Sequence, residues 1–105
     1  MVRQLFAIAV CVAAMHGTAI AASPSEQRGQ FFARTNCASC HSIDKVTASP
    51  LKVAPPFRIL HKRYPIESIA EALAEGISTG HPSMPEFQLP PDQINDLLSF
   101  MRTLQ

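Results

Sequence analysis

Cys37-Ala38-Ser39-Cys40-His41 limits the architectures open to this 105-residue chain more than any other segment. A C-x-x-C pair has several common uses. A thioredoxin-like redox pair needs a βαβ pattern, and no alternating strand pattern occurs here. Half of a structural zinc site needs a second Cys/His pair at ligand spacing, which is absent. A plain disulfide is allowed in an oxidising compartment, but it gives no reason for a histidine directly after the second cysteine. C-x-x-C-H is the attachment pattern of c-type haem. Its two sulfurs join one edge of a porphyrin as thioethers, and the adjoining imidazole reaches the iron from the proximal side. Cys37 and Cys40 are therefore expected as attachment points and His41 as an axial ligand.

Size and hydropathy lead the same way. Arg3, the apolar run 5–14 and the small-x-small site Ala19-Ile20-Ala21 form the pattern of a secretory signal, expected over residues 1–22 with cleavage after Ala21 or Ala22. His16, Gly17 and Thr18 break the run well short of the roughly 20 apolar residues of a membrane span. Cys11 would leave with the signal, so no odd thiol remains. Residues 23–105 then form one domain outside the cytoplasm, the periplasm being the expected location. A domain of about 84 residues rarely stabilises itself on side-chain packing alone.

Three helices are expected. Ser23-Pro24-Ser25-Glu26 forms a capping box with proline at the first helical position, starting a helix that runs to about Thr35. Asn36 is suited to end it in a left-handed conformation. Residues 41–63 show no period and are expected as loop. Pro65 opens a second helix, with Ile66, Ile69, Ala70, Leu73 and Ile77 on one face and Gly76 as its C-terminal stop. After a second loop over 78–91, a third helix runs from Pro91 to Leu104, presenting Ile94, Leu97, Leu98, Met101 and Leu104. Three helices with long loops make a poor core unless something fills it, and a covalent porphyrin would.

The sixth iron position has a candidate in Met84. Met101 belongs to a helical stripe and is most simply core, whereas Met84 lies in His81-Pro82-Ser83-Met84-Pro85, a loop whose prolines restrict where the thioether points. Thioether sulfur suits haem iron. His61 and His81 are alternative ligands, and bis-histidine coordination stays chemically open. The charge excludes one class of partner. The chain has nine Lys and Arg against eight Asp and Glu, and loss of Arg3 leaves the mature part near neutral, which argues against nucleic acid. The charge is unevenly placed, with Lys45, Lys52, Arg58, Lys62 and Arg63 preceding Glu67, Glu71, Glu75, Glu86, Asp92 and Asp96. The basic stretch suits an acidic partner or is simply a solvated face.

The order of these features resembles class I (His/Met) cytochromes c over essentially the whole mature chain. Gly29 stands eight residues before Cys37, where that family has the glycine at which first and last helices cross, and Phe100 matches the aromatic at the crossing. Pro55 resembles the proline whose carbonyl accepts the proximal histidine's second N–H, and Arg63 and Tyr64 lie where members meet a haem propionate. Ala33 departs from the family's usual aromatic, and the short middle loop is similar to bacterial short-chain members. The resemblance implies an all-α cytochrome c fold around one haem c and a one-electron carrier rather than an enzyme. It also implies redox partners such as a dehydrogenase, a quinol-oxidising complex or an oxidase, with the chain a monomer or a subunit of a larger complex. A dedicated dehydrogenase subunit, or a haem protein that binds small molecules or acts on peroxide, are the competing expectations.

Overall fold

The computed structural model describes residues 11–13, 16, 17, 21–76 and 83–105. Most of the expected signal segment, together with Ile77, His81 and Pro82, lies outside these residues. Among the described residues the chain is all-helical, with α1 (Pro24–Asn36), α2 (Phe57–Arg63), α3 (Ile66–Glu75) and α4 (Pro91–Arg102). None of these helices is long and apolar enough to cross a membrane.

Local chemistry accounts for where the helices begin. The capping box forms in full: Glu26 N–H donates to Ser23 Oγ at 3.1 Å and Ser23 N–H donates to Glu26 Oε2 at 3.2 Å. Pro24 and Pro91 occupy first-turn positions, where the N–H that proline lacks has no helical acceptor. At the far end of α3, Gly76 adopts φ 97°, a conformation that costs glycine little and other residues much. α4 stops at Arg102 rather than Leu104, tightened by a Leu104 N–H to Met101 C=O bond of 3.1 Å.

Two expectations need correcting. Asn36 does not end α1 in a left-handed conformation, since no non-glycine residue among those described has positive φ. The chain instead rolls on into a further turn: Cys37 and Ala38 N–H both reach the Ala33 carbonyl, at 2.8 and 3.0 Å, and Asn36 Nδ2 donates to Phe32 C=O. The stretch 41–63, expected as loop, contains the seven-residue α2. Two turns are too few to display a helical period. Pro56 begins the helix and His61, Lys62 and Arg63 stand in its last turn, where cations favour the carbonyl end. Its stability comes from tertiary burial of Phe57, as expected for a short helix.

α1 and α4 make the main packing contact. Gly29 and Ala33 are buried on α1, facing Leu97, Phe100 and Met101 of α4. A Cβ at Gly29 would lie 2.6 Å from the Asp96 carbonyl carbon and 2.9 Å from Phe100 Cβ, closer still to the Asp96 carbonyl oxygen, so the helix backbones meet there. Ala33, the departure from the family pattern, is fully buried in this crossing. At the solvent edge Arg28 grips the Asp96 carboxylate bidentately at 2.8 and 3.0 Å, and Ser25 Oγ donates to it at 2.8 Å. These donors, Arg28 first, hold the Asp96 carboxyl below the usual range. α3 packs on α4 through Leu73, and Leu89 N–H donates to the Leu73 carbonyl at 2.8 Å, drawing the segment after Met84 back to the core.

Candidate haem site

The turn that follows α1 presents the motif. Cys37 C=O accepts from Cys40 N–H at 3.1 Å and from His41 N–H at 2.9 Å, coiling the five residues so that both cysteines and the histidine lie close together. His41 is buried. Its Nδ1–H donates to the Pro55 carbonyl at 2.7 Å, a short bond that leaves Nε2 as the nitrogen free to act as a ligand. The Phe57 ring packs beside the imidazole, with centroids 5.3 Å apart and planes tilted by 50°. The backbone reinforces this pairing: Phe57 N–H donates to Ser42 C=O at 2.9 Å.

His41 opens onto a cavity of about 430 Å³, a size typical of cofactor sites. Cys37, Met84, Pro55, Arg63 and Tyr64 line the same cavity, which thus gathers all but one of the site residues expected from the sequence. Cys40, the exception, lines a smaller adjoining cavity of about 160 Å³, to which Cys37, His41, Phe57, Met84 and Phe87 also contribute. Most of the larger cavity's wall is apolar, including Phe32, Leu60, Ile69, Leu73 and Leu97. Tyr64, 54% exposed, and Arg63 lie at its solvent side. Burial pushes the Cys37 thiol up to about 11, so before attachment it is a neutral thiol. An apolar slot lined by one imidazole with its second nitrogen engaged, a thioether and one thiol, with the second thiol in the adjoining cavity, fits a covalent haem.

The two methionines differ in placement. Met101 is buried in the α4 core cluster and touches only the larger cavity, whereas half-buried Met84 borders both. Of the alternative ligands, His61 lines neither cavity, and its Nδ1 is buried without a hydrogen-bond partner. His81 lies outside the described residues. Two aromatic contributors carry no sequence signal that would assign them to the site. Phe57 follows a Pro-Pro pair that reads only as loop, and Phe87 lies three residues past Met84. Phe87 meets Phe32 edge-to-face at 6.2 Å, tying the methionine segment to α1.

No curated protein and no solved structure matches the chain. The family model for cytochrome c matches residues 26–105, which hold the C-x-x-C-H turn, all but the first residues of α1 and every element around the cavity. With that match over most of its length and an all-helical fold built round an apolar slot, the chain belongs to the cytochrome c family.

Proposed function

We propose that this protein is a periplasmic carrier of single electrons, with one haem c joined to Cys37 and Cys40 and its iron held by His41 and Met84. The observation that carries the proposal is the convergence of buried His41, its Nδ1 committed to Pro55 at 2.7 Å, and Met84 on one apolar cavity beside the two cysteines. Haem c supplies a one-electron ferrous/ferric couple. The protein's part is positional. Pro55 and Phe57 hold the imidazole ring, and the Pro55 hydrogen bond makes its other nitrogen a better donor. Met84 contributes a soft sulfur that favours the ferrous state and raises the potential. Two protein ligands leave no vacant position for a substrate, which suits electron transfer rather than catalysis. Arg63 and Tyr64, at the solvent side of the cavity, are suited to meet a propionate.

Export rests on Arg3, the apolar run after it and Ala19-Ile20-Ala21. For partners, Lys52, Lys62 and Arg63 are exposed beside exposed Val53 and Tyr64, two residues of the cavity wall. Such a face suits an acidic dehydrogenase, quinol-oxidising complex or oxidase, and electron transfer with that partner should slow as salt rises.

The ligand assignment is tested on the oxidised holoprotein. The weak red-edge band of a sulfur–iron bond should be present in wild type, lost in Met84→Ala and kept in Met101→Leu and His81→Ala. Met84→Ala should also admit carbon monoxide to the reduced iron while the haem stays attached. A band that survives Met84→Ala in a folded protein refutes the assignment.

A further inference from the structure

The polar network behind His41 converges on one side chain that the electron-carrier reading does not use. Arg58 Nη1 donates to the Thr47 carbonyl at 2.7 Å, and at longer range to Ser42 Oγ at 3.3 Å and the Asp44 carbonyl at 3.4 Å. These acceptors belong to the tight loop that begins at His41. Asp44 closes that loop. Its carboxylate accepts from Val46 N–H at 2.8 Å, Thr47 N–H at 2.7 Å and the Thr47 hydroxyl. Those bonds, the Thr47 hydroxyl first, hold the Asp44 carboxyl down at about 2. Ser42, buried beside the histidine, also donates its N–H to Ser49 Oγ at 3.0 Å and shares a hydroxyl bond with Thr47 at 3.1 Å.

Arg58 stands on the first turn of α2, three residues after Pro55 and one after Phe57. The segment 55–58 is thus joined to the segment 41–47 at three levels. Pro55 C=O meets the His41 ring, Phe57 N–H meets the Ser42 carbonyl, and the Arg58 guanidinium meets the Thr47 carbonyl. The first two are neutral bonds between groups on separate chain segments, with only loop between them. The third is charge-assisted and the strongest class of the set. Removing it exposes no buried polar group, because Ser42 Oγ keeps Thr47 Oγ1 and Thr47 is at the surface. It would loosen how the Pro55 carbonyl is held against the imidazole without dismantling the fold.

We infer that Arg58 is a positioning residue for the iron's proximal side: by clamping the 42–47 loop to α2 it holds the His41 Nδ1–H···O=C Pro55 bond short and so tunes the electron donation of the imidazole. This rests on His41 being the proximal ligand. A slackened Nδ1–H bond makes the ring a poorer donor, which favours ferrous iron and raises the potential. Loss of a nearby cation acts oppositely, by favouring ferric iron. Arg58→Lys separates the two, since it keeps the charge but its shorter stem does not carry the ammonium to the place where Arg58 Nη1 meets its three acceptors.

The experiment uses the reduced holoprotein. Proton NMR follows hydrogen exchange of the His41 ring N–H, and voltammetry gives the potential, for wild type, Arg58→Lys, Arg58→Gln and the distant control Arg28→Lys. Arg58→Lys should speed exchange of that proton about tenfold and raise the potential. Arg58→Gln should speed exchange at least as much, with a smaller rise or a fall in potential. Arg28→Lys should change neither. Ring-proton exchange within twofold of wild type in both Arg58 variants overturns the inference. The upfield methyl signal of an iron-bound methionine, read in the same spectra, reports on the ligand assignment separately. Its absence from wild type would refute the His/Met reading, whereas its presence with unchanged exchange refutes only the role of Arg58.

Discussion

Gly29→Ala sets two opposing effects against each other at a point where the structure determines which wins. In an isolated helix the change stabilises by about 1 kcal/mol, because alanine has the higher helix propensity. Here the new methyl carbon would sit 2.6 Å from the Asp96 carbonyl carbon and 2.9 Å from Phe100 Cβ, against an ordinary carbon–carbon contact of roughly 3.5–4.0 Å. The obstructing atoms are backbone, and the Phe100 Cβ is fixed to backbone. No rotamer change relieves the overlap, and α1 and α4 must part by about 1 Å. Overpacking costs typically 1–3 kcal/mol, and an unyielding backbone puts this case near the upper end. The net destabilisation is then about 2 kcal/mol. For a domain of this size that corresponds to a fall of roughly 8–16 °C in Tm. The assay is thermal unfolding of the holoprotein, followed in parallel by far-ultraviolet circular dichroism and by the haem absorption band. Gln30→Ala, one residue on and exposed, should move Tm by no more than a few degrees. A Tm for Gly29→Ala equal to or above wild type would show that the helices do not meet closely at this glycine and would refute the reasoning.

Haem attachment is tested with acid acetone, which should leave the haem mass on the denatured wild-type chain; Cys40→Ala should retain a single thioether at lower yield, and His41→Ala should fail to mature. N-terminal sequencing of the purified holoprotein should begin at Ala22 or Ser23, and a start at Met1 in the membrane fraction would contradict the proposed export with cleavage. The Asp44 carboxyl, held at about 2 in the folded chain against 3.8 for a free carboxyl, binds its proton more readily when unfolded. Its contribution to stability is therefore present above about pH 4 and is lost as pH falls toward 2. Asp44→Asn should flatten that part of an acid titration of stability, and an unchanged acid limb would mean that its hydrogen bonds do not form in solution.

What the chain alone makes legible is the chemistry that acts between near neighbours. The Ser23–Glu26 box and the prolines at 24 and 91 act within one helical turn, so the helix starts can be read without any knowledge of the fold. The spacing of Cys37, Cys40 and His41 likewise implies a covalent haem by itself, because the sulfurs and the imidazole lie within one five-residue stretch of chain. The crossing at Gly29 is legible only through resemblance to a family, and nothing local marks a glycine as one that touches a backbone 67 residues away. α2 leaves no mark in the sequence, because two turns carry no period and the helix depends on burying Phe57. Arg58 reads only as one charge in a basic stretch. Its three acceptors lie 11 to 16 residues earlier, and no propensity or motif spans that distance. Sequence determined which groups could hold a haem. Tertiary structure decided how tightly the imidazole is held, because that depends on hydrogen bonds between segments that meet only once the chain has folded.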